Sequence, residues 1–131
     1  MEMIEVRTRS RSESVEITRD VQDAVSRSGL MEGVAVVYSS HTTGGITVNE
    51  HADPSVVQDT AAQLEATVPR SGKYLHREGN ADAHIKTSLM GASESIPVEN
   101  GGPVLGTWQG VFFCEFDGPR SRTVYISVVG A

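Results

Sequence analysis

Short apolar runs separated by polar or glycine-containing turns dominate the sequence, and this pattern most constrains the fold. Several runs alternate apolar and polar residues, as half-buried strands do. The predicted strands cover residues 3–8, 14–18, 33–38, 46–48, 96–98, 104–109, 111–116 and 123–129. A polar break at residues 10–13 predicts an antiparallel hairpin between the first two strands. The pattern favours an α+β fold, a mostly antiparallel β-sheet with helices packed on one face.

Three segments change to helical spacing, and each has end signals of its own. The first begins at Thr18, a capping residue type, and ends at Gly29. The second begins at Asp53-Pro54, because aspartate accepts free backbone N–H groups and proline loses no hydrogen bond there. The third covers Ala81–Met90. The predicted core-facing stripe of the second helix is Val57, Ala61, Leu64 and Val68.

Length and charge narrow the class of protein. A chain of 131 residues folds as one domain, residues 1–131. Seventeen acidic and 11 basic residues give a net charge of −6, which argues against a nucleic-acid partner. The single Cys114 fits a reducing compartment. No apolar run approaches the ~18 residues that span a bilayer, and no secretory signal is present. We therefore expect a cytoplasmic protein without a membrane partner.

A first candidate site follows the buried run 33–38, in the segment Ser39–Glu50. This segment holds His41, the hydroxyls of Thr42 and Thr43, and two glycines. Glycines let backbone N–H groups approach an anion, and threonine hydroxyls donate to phosphate oxygens. A polar turn that only reverses the chain is the alternative interpretation.

All four histidines lie within residues 41–84. His41, His76 and His84 together would offer three nitrogen ligands and an open position to a metal ion. Their spacing does not match the HExxH pattern, so this metal site requires a fold that brings separated residues together. Surface or hydrogen-bonded structural histidines are the alternative, and His51 is expected to be a partly exposed loop residue.

A third candidate segment is Leu105–Arg122. Glu115 lies in an apolar strand, where it either faces water or meets an arginine or histidine in a cleft. Arg120 and Arg122 suit a phosphate or carboxylate, and a solvated surface is the alternative. Trp108 is expected to pack in the core, and Cys114 to pack as a small hydrophobic residue.

Several motifs, in order along the chain, resemble the YjbQ-like family, also called the secondary thiamine-phosphate synthase family. The resemblance runs from about Ile4 to Gly130. Its most specific parts are His41-Thr42-Thr43, the His76…Asn80…His84 segment, Leu105-Gly106-Thr107-Trp108-Gln109 and Gly118-Pro119-Arg120-Ser121-Arg122.

The resemblance implies an α+β sandwich that assembles as a homotrimer, with a pocket near the subunit boundary. It also implies a weak thiamine-phosphate-synthase-like activity. That reaction joins hydroxymethylpyrimidine diphosphate to thiazole phosphate and releases pyrophosphate. The expected partner is therefore a small phosphorylated metabolite, and the physiological substrate is left open.

Combining the residues with the resemblance gives one expected constellation. Three histidines, His41, His76 and His84, are expected to bind a divalent metal (Zn or Mg) or to contact an anion. Phosphate oxygens are expected to be held by Thr42, Thr43 and Arg120, with Arg122 in a secondary role. Glu50 or Glu115 is the acidic member that orients a histidine or completes a metal site. His41, Glu50 and Glu115 are thus the candidate catalytic residues. Two alternatives are a metal-assisted hydrolase with a three-histidine site and a non-catalytic trimeric module that binds a phosphometabolite.

Overall fold

The computed structural model of the protein describes residues 1–131 and contains eight strands and three helices. The strands are β1 (Glu2–Arg7), β2 (Glu13–Glu16), β3 (Gly33–Ser39), β4 (Gly44–Glu50), β5 (Ser93–Glu99), β6 (Gly102–Pro103), β7 (Gln109–Glu115) and β8 (Ser121–Gly130). The helices are α1 (Thr18–Ser28), α2 (Pro54–Thr67) and α3 (Ala81–Met90). The predicted antiparallel α+β class is confirmed.

The strands form two sheets. One has five strands in the order β1-β8-β3-β5-β6, and the other has three in the order β2-β7-β4. All pairs are antiparallel, and β1 pairs with β8 from Glu2↔Ile126 to Arg7↔Ser121. The predicted hairpin of the first two strands is wrong, because they lie in different sheets. The polar break crosses between the sheets and bonds to the β7–β8 connection, through Thr8 N to Arg120 O (3.0 Å) and Gly118 N to Arg11 O (2.9 Å).

The main core lies between the sheets and includes one face of α1. Its largest members include Val37 and Ile126 from the five-stranded sheet and Phe113 from the three-stranded one, all at most 1% exposed. Strand β3 lies at the centre of its sheet, between β8 and β5, but only one face of the predicted buried run is covered, since Val34 and Tyr38 are 41% and 45% exposed.

The predicted C-terminal end of α1 agrees with the structure, whereas the predicted N-terminal cap does not. Gly29 ends the helix in the left-handed region at φ 70°, as predicted. Thr18 is not the cap, because Ile17 holds that position. The Thr18 hydroxyl instead donates to Glu16 Oε2 (2.7 Å) and accepts from the Val111 backbone N–H (2.9 Å), so it ties the helix to β7.

Helices α2 and α3 lie over the outer face of the three-stranded sheet. A second apolar cluster there contains Ala83, Phe112, Cys114 and Phe116, with Val57, Leu64 and Met90 packed against it. Asp53 caps α2 as predicted, accepting from Ser55 N at 3.0 Å. The predicted apolar stripe is only partly covered: Val68, just past the helix, is 7% exposed, and no residue within α2 is buried.

The predicted strand at 104–109 is not formed. The chain leaves β6 after Pro103 and makes a turn closed by Gln109 N to Gly106 O (3.0 Å) before β7 begins. The Gln109 side chain also accepts from Gly106 N at 2.8 Å. This turn projects Trp108 outward, 63% exposed, so its expected place in the core is wrong. None of the three helices is both long and apolar enough to cross a membrane.

Candidate functional site

The ends of several strands meet at one end of the sandwich. Strands β1 and β3 are both antiparallel to β8, so their carboxyl ends lie beside the start of β8. In the other sheet, the end of β7 pairs with the start of β4, with Glu115 opposite Gly44. We call this region the polar end, defined by Thr8, His41, Thr42, Thr43, Glu115, Arg120 and Arg122.

A buried ion pair of Glu115 and Arg122 lies at the centre of the polar end. The two side chains are 0% and 2% exposed. Arg122 Nε donates to Glu115 Oε1 at 2.8 Å, and Arg122 Nη2 donates to Oε2. Thr8 Oγ1 donates to Oε1 at 2.7 Å, and the backbone N–H groups of Phe116 and Asp117 donate to Oε2 at 3.1 Å each. The structure thus selects the arginine partner over the water-facing alternative for Glu115.

The environment keeps Glu115 ionised. Burial on its own raises the pKa of this carboxyl, but the hydrogen bonds from Arg122, Thr8 and the Asp117 backbone outweigh it and bring the pKa below 4.5. A buried charge is stable only when it is paired and hydrogen-bonded. Glu115 has both, so it orients Arg122 and is not available as a free general base.

Thr43 and Arg122 bind each other. Arg122 Nη2 donates to Thr43 Oγ1 at 2.9 Å and to the Thr43 carbonyl at 3.2 Å. Both residues are buried. The expectation that they contact phosphate directly therefore does not agree with the structure, because their polar atoms are used inside the protein. They hold the 40–43 turn against β8 and act as positioning residues.

His41 is held as a neutral donor. Its Nε2 accepts the Thr123 backbone N–H at 2.9 Å, and its ring edge meets Phe113 at a centroid distance of 6.4 Å. Because a backbone N–H can only donate, Nε2 is unprotonated and the proton is on Nδ1. Burial lowers the pKa of His41 below 6.5, and the charges of Arg122 and Arg120 lower it further. His41 thus presents an N–H donor, and its Nε2 is not free to bind a metal.

Two exposed donors complete the polar end. Thr42 is exposed beside His41. Arg120 has a side chain that is 50% exposed, with Nη2 3.2 Å from Asp117 Oδ2. An open groove beside it is lined by Arg7, Thr8, Pro119, Arg120 and Ser121. His41, Thr42 and Arg120 are therefore the predicted anion contacts that remain accessible.

His76 and His84 come together elsewhere on the surface. Their ring centroids are 5.2 Å apart with an interplanar angle of 82°, and they line a shallow depression with Lys73, Tyr74 and Ile85. No group of three histidine, cysteine or acidic side chains in the chain is placed to hold a metal ion. The three-histidine metal site is thus not formed within one chain, and the Nε2 of His41 already accepts the Thr123 backbone N–H.

Glu50 does not belong to the polar end. It ends β4 opposite Gln109, whereas Gly44 begins that strand opposite Glu115. Six residues of extended strand separate the two positions by roughly 20 Å. Glu50 Oε2 accepts from Ala52 N at 2.9 Å. His51 lies at this far end too, with Nδ1 2.7 Å from Glu16 Oε2, outside the candidate cluster as expected.

A second buried charged network was not predicted from the sequence. Asp82 is 0% exposed and receives Arg11 Nη2 at 3.0 Å and Lys86 Nζ at 2.9 Å. Lys86 Nζ also reaches Glu65 Oε2 of α2 at 2.7 Å. The i,i+4 spacing of Asp82 and Lys86 on a predicted helix was an available signal for one of these pairs. Thr8 gave no such signal, since it is 107 residues from its partner Glu115.

The fold and the site define a class of protein. It is a small α+β sandwich with a buried ion pair and a cluster of hydrogen-bond donors at one end. A family model described as "UPF0047 protein YjbQ-like" matches residues 2–131. The chain belongs to this family, which confirms the resemblance found in its motifs.

Relatives and solved structures agree with this membership. UPF0047 protein MJ1081 of Methanocaldococcus jannaschii is 49% identical over 126 residues, which cover 96% of this chain and 91% of the relative. UPF0047 protein YugU of Bacillus subtilis is 45% identical over 131 residues, which cover 99% of each. A crystal structure of a YjbQ/UPF0047-family protein from Clostridium acetobutylicum superposes with a TM-score of 0.97 at 47% identity, covering 98% of this chain and 100% of that one.

Proposed function

We propose that the protein is an enzyme acting on small phosphorylated molecules, with a thiamine-phosphate-synthase-like transfer as its reaction. The observation that carries the proposal is a group of donors at the polar end, half-buried His41 and exposed Thr42 and Arg120, in a chain whose net charge is −6. His41 offers Nδ1–H, Thr42 offers a hydroxyl, and Arg120 offers a half-exposed guanidinium. Such a group suits phosphate oxygens.

The proposed reaction needs charge stabilisation more than acid–base chemistry. The C–O bond between the pyrimidine methylene and the diphosphate breaks, and its electron pair leaves with pyrophosphate. The lone pair of the thiazole nitrogen then forms the new C–N bond, so no proton is transferred. Donors placed where negative charge develops on the leaving group lower the barrier. Arg120 supplies charge, His41 and Thr42 supply neutral donors, and the Glu115–Arg122 pair keeps the supporting strand in place.

Mutation of the exposed donors tests this function. We expect wild-type protein, given both substrates and Mg²⁺, to release pyrophosphate, and Arg120→Ala and His41→Ala each to lose about tenfold or more of that rate. His51→Ala is the matched control, since His51 lies at the far end of the sandwich, and it should retain the wild-type rate. No turnover by the wild type would reject the reaction, and unchanged turnover in both donor variants would reject the site.

A metal-assisted hydrolase is a second candidate, favoured by the proximity of His76 and His84. One chain brings only these two imidazoles together, so a third ligand at this site would have to come from a neighbouring copy. Metal analysis of protein purified without nickel resin tests this candidate. Stoichiometric zinc that is lost in His84→Ala would support it, and metal-free protein without metal-stimulated hydrolysis would reject it.

We also propose a homotrimer located in the cytoplasm. The exposed apolar residues Met3, Val34, Tyr38 and Val129 on the outer face of the five-stranded sheet support self-association, because exposed contiguous apolar surface is typical of subunit contacts. The single free, buried Cys114 fits a reducing compartment.

A further inference from the structure

A cavity of about 120 Å³ lies between α2 and the outer face of the three-stranded sheet. Its helix side is formed by Val57, Ala61 and Leu64, and its sheet side by Phe112 and Phe116. Phe112 lies on the opposite face of β7 from Glu115, since successive side chains of a strand alternate between faces. The cavity is therefore a different site from the polar end.

The cavity exists because α2 is held at a distance from the sheet. Its later part is fixed by the ion pair of Glu65 with Lys86 at 2.7 Å and by buried Val68, just past the helix. No residue within α2 is buried. Protein interiors normally pack without voids larger than a water molecule. Val57 and Leu64 of α2 contact the second apolar cluster, but side chains leave part of the space between the helix and the sheet unfilled.

The size and lining of the space indicate a ring-shaped ligand. An engineered apolar cavity of about 150 Å³ in another protein binds benzene. The cavity beside α2, about 120 Å³ and partly open, is close to that size. Two phenylalanine side chains and the Met90 thioether offer edge, face and sulfur contacts to such a ring.

Two polar residues, Asn49 and Glu50, also line the cavity. Glu50 Oε2 accepts from Ala52 N at 2.9 Å, whereas Oε1 has no partner within the chain. Asn49 Oδ1 accepts from Glu50 N at 2.7 Å, which holds the two residues together. The unpaired Oε1 of Glu50 therefore attracts an N–H or O–H donor and repels an anion.

We propose that this cavity binds a single-ring aromatic or heteroaromatic molecule that carries an N–H or O–H donor, with the ring between α2 and the sheet and the donor on Glu50. The proposal gives Glu50 a ligand-binding role in place of the expected role beside His41. It does not depend on the proposed transfer reaction, because no residue that lines the cavity belongs to the polar end.

The four methionines provide a direct test with protein carrying ¹³C-labelled methionine methyl groups. Aniline and phenol serve as probes, and benzoate serves as a probe of similar size with a negative charge. We expect the Met90 methyl signal to shift and saturate with aniline and phenol, because an aromatic ring beside it changes its local field. Met31, which is 61% exposed and does not line the cavity, is the internal control and should not shift. Benzoate should bind at least tenfold more weakly.

Two adjacent alanines of α2 give a matched pair of variants. Ala61 lines the cavity and Ala62 does not. Ala61→Phe should fill the space and abolish the Met90 shift, and Ala62→Phe should retain it. Val57→Phe fills the same space from one turn earlier and replaces Ala61→Phe if that variant does not fold. Glu50→Gln should weaken aniline binding and reduce the discrimination against benzoate.

Several outcomes overturn the proposal. No saturable Met90 shift in the wild type rejects the cavity as a binding site. Equal shifts in Ala61→Phe and Ala62→Phe place binding elsewhere. Benzoate that binds as tightly as aniline, or an unaltered preference in Glu50→Gln, rejects the role of Glu50. None of these results depends on release of pyrophosphate, so a failure of the transferase assay leaves them interpretable.

Discussion

The Glu115–Arg122 ion pair holds the neighbouring residues of the polar end in place. Arg122 bonds to Glu115 of β7 and to Thr43 at the turn before β4, and its neighbour Thr123 donates to His41. One guanidinium thus joins the two sheets and fixes the turn that carries His41. Because both charges are buried, removal of one partner leaves the other charge without compensation.

We expect Arg122→Met to lower the free energy of unfolding by about 3–5 kcal/mol, because Glu115 is then buried and unpaired. The double variant Arg122→Met with Glu115→Gln should be more stable than Arg122→Met alone. Urea unfolding followed by circular dichroism measures both. Arg7→Met is the control, since the Arg7–Glu5 pair is largely exposed, with side chains 83% and 54% accessible, and it should change little. A double variant that is no more stable than the single one would contradict this account.

The same pair predicts sensitivity to acid. The pKa of Glu115 in the fold lies below its ordinary value of 4.5. Below pH 4.5 the unfolded chain therefore binds a proton that the folded chain does not, so stability falls as the pH is lowered through the folded pKa. Unfolding free energies at intervals from pH 7 to about pH 3 measure this loss. The unfolding free energy of the wild type, relative to that of the double variant, should be constant near neutrality and fall below pH 4.5. A relative stability of the wild type that rises on acidification would contradict the predicted role of Glu115.

The sequence identified the residue types of the site better than their roles. His41, Arg120 and Glu115 were found because polar groups at the ends of apolar strands are visible in a single sequence. The internal use of Thr43 and Arg122 was not visible, because it depends on contacts 79 residues apart. Glu50 was misplaced since a sequence does not state which end of a strand faces a given partner.

Element boundaries were predicted well where a local signal fixes them. The end of α1 at Gly29 and the start of α2 after Asp53 follow from backbone chemistry within a few residues. The bounds of α3 were also predicted correctly, although its first residue has no side-chain cap. Strand partners were predicted poorly, since pairing depends on distant segments. The turn at Gly106 interrupted a run that looked like a strand, because a Gln109 side chain and two backbone groups close it locally.

Gly29 allows a test at the scale of one element. Its φ of 70° is unfavourable for other residues, and a Cβ there would meet nothing within 4 Å, so any effect is conformational. Gly29→Ala should destabilise the protein by about 1 kcal/mol, as measured by the midpoint of urea unfolding. Gly102→Ala is the matched control, because its Cβ also has open space and its φ lies outside the positive region. Equal effects at the two positions would contradict the role of Gly29.

At the scale of the whole molecule, the outer face of the five-stranded sheet is the surface with which we associate the proposed homotrimer. Tyr38 and Tyr125 lie opposite each other on adjacent strands there, with ring centroids 6.3 Å apart. Covering this face in an assembly would remove apolar area from water without any change in the fold.

Introducing a charge on this face tests the assembly. We expect Tyr38→Glu to shift the mass measured by light scattering from about three chains toward one, because a buried unpaired charge opposes association. Its circular dichroism spectrum should remain that of the wild type. Leu89→Glu is the control, since Leu89 is 63% exposed on α3, away from the sheet. A monomeric wild type, or equal dissociation in both variants, would reject the assignment of this face.

The position of β8 between β1 and β3 has a consequence for how the protein is made. Residues 2–7 and 33–39 are synthesised early, yet each has its partner in residues 121–130. While a ribosome is still translating the intervening segments, both early strands lack that neighbour and leave backbone groups unpaired. The five-stranded sheet is therefore completed late, after β8 has been synthesised. Long-range strand pairing of this kind is slow. During that interval the unpaired strand edges of the nascent chain are open to aggregation and chaperone binding, whereas in the folded sandwich they are paired.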